Sequence, residues 1–483
     1  MRPKNYPDLN LVVGGVRASG GGRHVEQVRN PATGEVLGEL PHATTEDIED
    51  ALSSAAEGFT TWRNTPAVQR SEVLRRAAAN IRQRQDEGAE LISAELGKPL
   101  VEAVRELGTA AEMFEWAAEE CRRSYGRLIP ARNPGTELSV RPEPVGPVAA
   151  FAGWNAPAIT PARKIGGAVA AGCSIVIKPA ETTPAVALFL AEQLTRAGLP
   201  DGVLNVLFGD PPVVAEALLR SPTTRMVTFT GSIDVGKQLA ALATETMKRT
   251  VFELGGHAPV LVFSDVDVEA VVRGAVAAKF RNGGQVCTSP TRFYVHESAY
   301  ERFAERFAEL AEQIHVGDPF DPDTAMGPLQ NARRVEAVRE LVDDARQRGA
   351  TVRAGGKPLG GRGNFFGPTV LTDVSAECRV ASEEPFGPVA QIAPFRSTDE
   401  AVELANRLPV GLASYVFSGD LRTIDEVTAR IEAGNVIVNN WTASLPETPF
   451  GGVQDSGIGV EGGAEGLQAF QQLKYVSRAP APR

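Results

Sequence analysis

The chain has 483 residues, 43% of them hydrophobic and 23% charged, and its 49 basic residues stand against 60 acidic ones for a formal net charge of −11. This length exceeds the size at which one hydrophobic core stops growing, so two or more domains are expected. The acidic balance excludes a general binder of nucleic acid or anionic membrane, and no stretch approaches the ~20 apolar residues of a membrane span.

Read in chain order, residues 1–8 hold no apolar run of signal-peptide type. A helix is expected over 43–56, opened by Thr44-Thr45-Glu46-Asp47. The stretch 69–95 reads as one long amphipathic helix, and 100–123 as another with Leu107, Ala111, Phe114 and Ala118 on one stripe. Residues 127–148 lose the helical period and carry Pro130, Pro134, Pro142, Pro144 and Pro147, as an extended arm outside the core would. From Val148 the pattern becomes β-α units: strands at 174–177, 204–207 and 226–230 alternate with helices at 183–197 and 234–242. A second series begins near 260–263 and runs through 268–280 and 297–314. Strands alternating with helices predict a mostly parallel sheet. Residues 479–483 read as a loose tail.

Cys121, Cys173, Cys287 and Cys378 are widely spaced with no CxxC pair. No disulfide framework or metal site is expected, and a reducing, cytoplasmic setting is. Cys287 differs from the other three in its surroundings, Gly283-Gly284-Gln285-Val286-Cys287-Thr288-Ser289, a small polar loop in which a substrate can reach a thiol. Glu253 precedes two glycines, and Asn155 lies in the turn Gly153-Trp154-Asn155-Ala156-Pro157. A nucleophile, a base and an oxyanion donor are what acyl chemistry through a thioester requires. Thr230-Gly231-Ser232 ends a strand and opens a helix, which suits a pyrophosphate. Lys178 and Glu181 follow a strand's carboxyl end, where open α/β sheets bind ligands.

The segments around Asn155, Lys178-Pro179-Ala180-Glu181, Phe229-Thr230-Gly231-Ser232, Glu253-Leu254-Gly255-Gly256, Gly284-Gln285-Val286-Cys287, Glu383-Glu384-Pro385-Phe386-Gly387-Pro388 and Pro449-Phe450-Gly451-Gly452 occur in one order along the chain. In this the sequence resembles the aldehyde dehydrogenase superfamily over nearly its whole length. The resemblance implies an α/β fold with a Rossmann-like cofactor domain (1–121 and 144–253), an α/β catalytic domain (254–453), and a small β oligomerisation arm with its tail (122–143 and 454–483). It implies Cys287 as nucleophile, Asn155 with the Cys287 amide as oxyanion hole, and Glu253 as the base that activates water. It places Trp154, Lys178, Glu181, Gly231, Ser232, Glu384 and Phe386 around the cofactor. Glu181 near a ribose 2′-hydroxyl favours NAD, with NADP left open. A homodimer or homotetramer is implied.

For the substrate, Arg163 and Arg281 stand close to the Asn155 and Cys287 loops, as a fork for a remote carboxylate would. Both arginines, and the string Lys279-Phe280-Arg281-Asn282, are similar to the succinate-semialdehyde dehydrogenase subgroup, which implies a short ω-carboxy aldehyde. The chain departs from that subgroup in carrying Ser289 where a second cysteine is common. Trp441 and Ser444 fall in the segment that lines the substrate entrance in the family, which keeps an aromatic or broad-specificity aldehyde dehydrogenase open. A CoA-acylating enzyme is disfavoured by Glu253, because a water-activating base suits hydrolysis.

Overall fold

The computed structural model describes residues 6–20 and 22–481. The first five residues of the signal-peptide reading and the last two of the tail lie outside them. Among the described residues no helix is long and apolar enough to cross a membrane.

The first sheet has eight strands, five of them parallel at its centre: Leu204–Val206, Ile175–Lys178, Val148–Phe151, Met226–Gly231 and Arg249–Leu254, in that spatial order. Val148–Phe151 comes first in the chain. The next two strands add on one side of it and the last two on the other. The order therefore reverses between Val148–Phe151 and Met226–Gly231, and in open α/β sheets such a reversal leaves a crevice at the strands' carboxyl ends. The short strands are buried on both faces and read as continuous apolar runs, Val-Ala-Ala-Phe and Ile-Val-Ile, as parallel strands covered by helices do.

The second sheet has seven strands in the order Thr351–Ala354, Thr369–Thr372, Val389–Phe395, Arg292–His296, Pro259–Val262, Ala413–Phe417 and Asn435–Val438, and all but the first pair run parallel. A core of Phe280, Phe293, Phe303, Phe307 and Tyr415 lies on one face of it. The chain passes from the first sheet to the second through Leu254-Gly255-Gly256, so Glu253 sits at the seam.

The Pro-rich stretch forms an antiparallel three-stranded sheet with Glu137–Pro144 between Arg127–Ile129 and Gln471–Arg478. Of residues 454–481, only Gln471–Arg478 joins this sheet. Gly457–Ile458 pairs with Arg249–Leu254 at the edge of the first sheet, and the helix Gly463–Ala469 packs on the helix Ile159–Ala171.

The stretch expected as one helix over 69–95 is two, Ala67–Gln83 and Gln85–Leu96, broken at Arg84. Its guanidinium bonds Glu87, Glu192 and Gln193. The second helix thereby turns toward the helix Pro184–Arg196, where Gly88 closes on Phe189. The apolar period runs through the break, so only the tertiary partners reveal it.

Candidate active site

The helix Val268–Phe280 ends in a turn whose backbone is left-handed at three successive residues: Asn282 (φ 49°), Gly283 (φ 62°) and Gly284 (φ 72°). Glycine adopts this conformation without cost. At Gly284 it is required twice over, because a Cβ there would also collide with the Gly387 carbonyl. The turn is held from inside. Gln285 donates to the Asn282 carbonyl (3.0 Å) and accepts from the Gln330 amide (2.9 Å), and Tyr415 donates to the Thr288 carbonyl (2.8 Å). Cys287 emerges from it half-buried, at a cavity of about 300 Å³.

Glu253 lines the same cavity and is only 2% exposed. It faces the Cys287 thiol across that cavity, and its Oε1 has no partner among the described residues. Burial raises the carboxyl's pKa, and the charge of Glu461 raises it further; Arg163, Cys287 and Lys164 oppose the shift. Burial, then Glu253 and Glu384, push the Cys287 thiol well above its ordinary range, against Arg163. Both groups therefore hold a proton more tightly than they would in water.

Asn155 faces them from the loop after Val148–Phe151. Its carboxamide donates to the Gln285 carbonyl (3.2 Å), and its own carbonyl accepts from Asn282 (3.0 Å). One Asn155 N–H remains to meet an oxyanion at the cavity. This loop has a support that sequence reasoning missed. Buried Glu106 accepts from the Ala158 amide (2.9 Å) at the start of the helix Ile159–Ala171. It also pairs with buried Lys98, which reaches the Asn155 carbonyl (3.4 Å).

Arg163 and Arg281 line the cavity together, in different states. Arg163 is buried; it donates to Ser444 and lies over the Phe450 ring at 4.4 Å. Arg281 is exposed and, among the described residues, makes no hydrogen bond or ion pair. Trp441 turns one side of its ring to the cavity and packs the other on Phe417 (4.5 Å) and Tyr415 (5.3 Å), over Gly274. It is a wall anchored in the core rather than a free gate.

The crevice at the switch point holds the residues assigned to the cofactor. Lys178 and Glu181 form an ion pair of 2.5 Å, and Glu181 also accepts from the Gly209 amide (3.2 Å). Ser232 caps the helix Ile233–Thr244 without using its side chain, which leaves the helix's first amides and dipole facing the crevice. On the other wall, Phe386 meets Trp154 edge-on at 5.4 Å. Phe386 has φ 39°, a conformation costly for a bulky residue. Arg334 offsets that cost by donating to the Pro385 (2.6 Å) and Phe386 (3.2 Å) carbonyls. Glu384 packs against Gly255, and burial carries its carboxyl up to about 8 despite the Gly256 amide, Arg334 and Lys279. An adenosine diphosphate with a ribose and a flat ring fits this set: hydroxyl acceptors at one end, free helix amides in the middle, an aromatic edge and a carboxylate at the other.

Lys164, fully buried, donates to Glu461 (2.5 Å) and Thr228 (3.0 Å) behind Glu253. Lys164 and Glu461 are 297 residues apart, and no local pattern signals such a pairing.

The aldehyde dehydrogenase family model matches residues 11–476. The chain is 46% identical over 477 residues to the 4-(hydroxymethyl)benzenesulfonate dehydrogenase TsaD1 of Comamonas testosteroni, covering 98% of each. It is 42% identical to the 3-sulfolactaldehyde dehydrogenase of Pseudomonas putida, over 93% of this chain and 92% of the relative. The solved succinate-semialdehyde dehydrogenase of Burkholderia pseudomallei superimposes with a TM-score of 0.97 at 39% identity, over 99% of this chain and 100% of the other.

Proposed function

The chain belongs to the aldehyde dehydrogenase family and is an NAD(P)-dependent oxidoreductase acting on aldehydes; from that premise we propose that it oxidises an aldehyde carrying a remote anionic group to the acid. The observation that supports this most is the joint lining of one cavity by Cys287, Glu253, Asn155 and two arginines. A guanidinium without a protein partner in a substrate cavity suits a planar or tetrahedral oxyanion. The relatives are named for substrates of that kind: an arenesulfonate, a sulfolactaldehyde and succinate semialdehyde.

In the proposed reaction Cys287 passes its proton to Glu253 as sulfur attacks the carbonyl. The Asn155 carboxamide and the Cys287 amide take the charge that develops on oxygen. A bound nicotinamide would supply the acceptor for the hydride that leaves the carbonyl carbon. Glu253, having released that proton to solvent, then removes a proton from the water that attacks the thioester on Cys287 and returns it to the departing sulfur, so that the acid leaves and the thiol is restored. Lys178, Glu181, Gly231, Ser232, Trp154, Glu384 and Phe386 hold the cofactor. Glu181 supports NAD over NADP, since a carboxylate beside the ribose repels a 2′-phosphate.

A short ω-carboxy aldehyde such as succinate semialdehyde fits the arginine pair. An aromatic aldehyde is a second reading, supported by the core-anchored Trp441 ring in the cavity wall. The exposed Leu128, Leu473 and Tyr475 on the three-stranded sheet support a homo-oligomer built through that arm, and four free cysteines support a reducing, cytoplasmic setting. The test is NADH formation with succinate semialdehyde against butanal. A strong preference for the semialdehyde is expected; equal turnover removes the anion requirement.

A further inference from the structure

The long helix Leu100–Glu120 begins with two carboxylates on one face, Glu102 and Glu106, one turn apart. Both line the cavity that holds Cys287, and each holds a different loop. Glu106 accepts from the Ala158 amide (2.9 Å), just past Asn155. Glu102 accepts from the Asn282 amide (3.0 Å), inside the left-handed turn that presents Cys287. The helix that carries them is itself fixed. Leu107, Ala110, Ala111 and Phe114 are fully buried, and the Leu100 amide donates to the Pro319 carbonyl (2.9 Å).

Asn282 passes this hold on. It is buried, and of the three left-handed residues it alone has a side chain. That carboxamide donates to the Asn155 carbonyl (3.0 Å) and to the Gln285 carbonyl (3.2 Å). The Asn155 carboxamide donates to the same Gln285 carbonyl (3.2 Å). One asparagine thus ties the Asn155 loop to the backbone two residues before Cys287. The left-handed conformation is a minority one even for asparagine, so an acceptor on a rigid helix selects it. Burial raises the Glu102 carboxyl's pKa, against Lys98, Arg281, the Asn282 amide and Arg105. Those cations favour the carboxylate, the form that holds an N–H most strongly.

Resting on the aldehyde oxidation proposed above, we infer that Glu102 is a positioning residue for the oxyanion hole: by holding the Asn282 amide it sets the Asn155 carboxamide and the Cys287 amide at one spacing. Glu102 touches no reacting atom. It acts on the addition steps alone, through Asn282, and makes no demand on the remote end of the aldehyde or on the cofactor.

The experiment compares the full-length wild type with Glu102→Asp and Glu102→Gln. Aspartate keeps the charge but is one methylene too short; glutamine keeps the reach and an oxygen that accepts from Asn282. kcat and KM are measured for succinate semialdehyde, butanal and NAD, beside the cofactor-free hydrolysis of p-nitrophenyl acetate, which draws on Cys287 and the oxyanion hole but needs no hydride acceptor. In Glu102→Asp, kcat for both aldehydes and the ester rate are expected to fall together, on the order of thirtyfold, the scale for a small misplacement of reacting groups. KM for NAD is expected to hold, and Glu102→Gln to recover most of the loss. Three results overturn the assignment: a loss in Glu102→Gln as large as in Glu102→Asp, a loss confined to succinate semialdehyde, or unchanged rates in both variants. If Glu102→Asp does not fold, Glu102→Gln decides through the ester rate, which a merely electrostatic role of the carboxylate would depress. A wild type that hydrolyses the ester but oxidises neither aldehyde removes the oxidation reading instead, and the ester rates still test Glu102.

Discussion

Glu253, on a strand of the first sheet, and Cys287, on the loop after the helix Val268–Phe280, line one cavity at the seam between the two sheets. The carboxylate raises the thiol's affinity for its proton, while the thiol opposes the upward shift that burial imposes on Glu253, so the proton affinities of the two are linked. Substituting Cys287 by Ala removes the nucleophile while leaving the cofactor crevice in place. Turnover is expected to drop on the order of a thousandfold or more. NADH production by the purified variant checks this, and substantial residual turnover refutes it.

Replacing Glu253 by Gln separates the two halves of the reaction. Hydrolysis is expected to slow about a hundredfold, the scale for a lost general base. If acylation still proceeds, stopped-flow mixing shows about one NADH per site released quickly, followed by a slow steady state. The pH dependence has a defined sign. A base acts deprotonated, and burial has moved the Glu253 pKa above 4.5. The acidic limb of kcat in the wild type should therefore lie above pH 4.5, with activity rising as pH rises through it. A limb at or below that value would contradict the assignment.

The two arginines should separate by substrate. Arg281→Met is expected to cost about 2 kcal/mol in kcat/KM for succinate semialdehyde and far less for butanal. Arg163→Met should slow both aldehydes, because its charge opposes the upward shifts of Cys287 and Glu253. Identical profiles for the two variants would show that the arginines do not differ in role.

Glu181 sets the cofactor preference in this reading. Glu181→Ser removes the carboxylate and leaves Lys178 beside the ribose without its 2.5 Å partner. The ratio of kcat/KM for NADP to that for NAD is expected to rise about tenfold or more. An unchanged ratio would move the discriminating group elsewhere in the crevice.

Lys98 and Glu106 form a buried pair behind the Asn155 loop. Lys98→Met strands the Glu106 carboxylate, at a cost of about 3 kcal/mol. Thermal unfolding should report a lower midpoint. A variant that melts like the wild type would mean that Glu106 finds another partner or takes up a proton.

The sequence carried the parts of this site that lie in short contiguous motifs. Cys287 stands out because glycine and polar residues surround it, and Lys178 and Ser232 because each follows a recognisable strand. The supports around them were silent. Lys98 and Glu106 read as ordinary charges at the start of a helix, and Lys164 and Glu461 are far apart in the chain. Arg334 acts on backbone carbonyls, which leave no trace in residue identity. The break at Arg84 was hidden for the reason that makes helices easy to find: the apolar stripe continues across it.

Gly284 rests so closely on the carbonyl of Gly387 that no side chain fits between them. The loop bearing the sulfur and the loop bearing Glu384 and Phe386 are therefore mechanically geared. Attempts to reshape the substrate end by randomising residues around Cys287 will also displace the far wall of the nucleotide crevice. Libraries that vary both loops together, or leave both glycines untouched, should yield more folded, cofactor-competent variants than libraries that vary either loop alone.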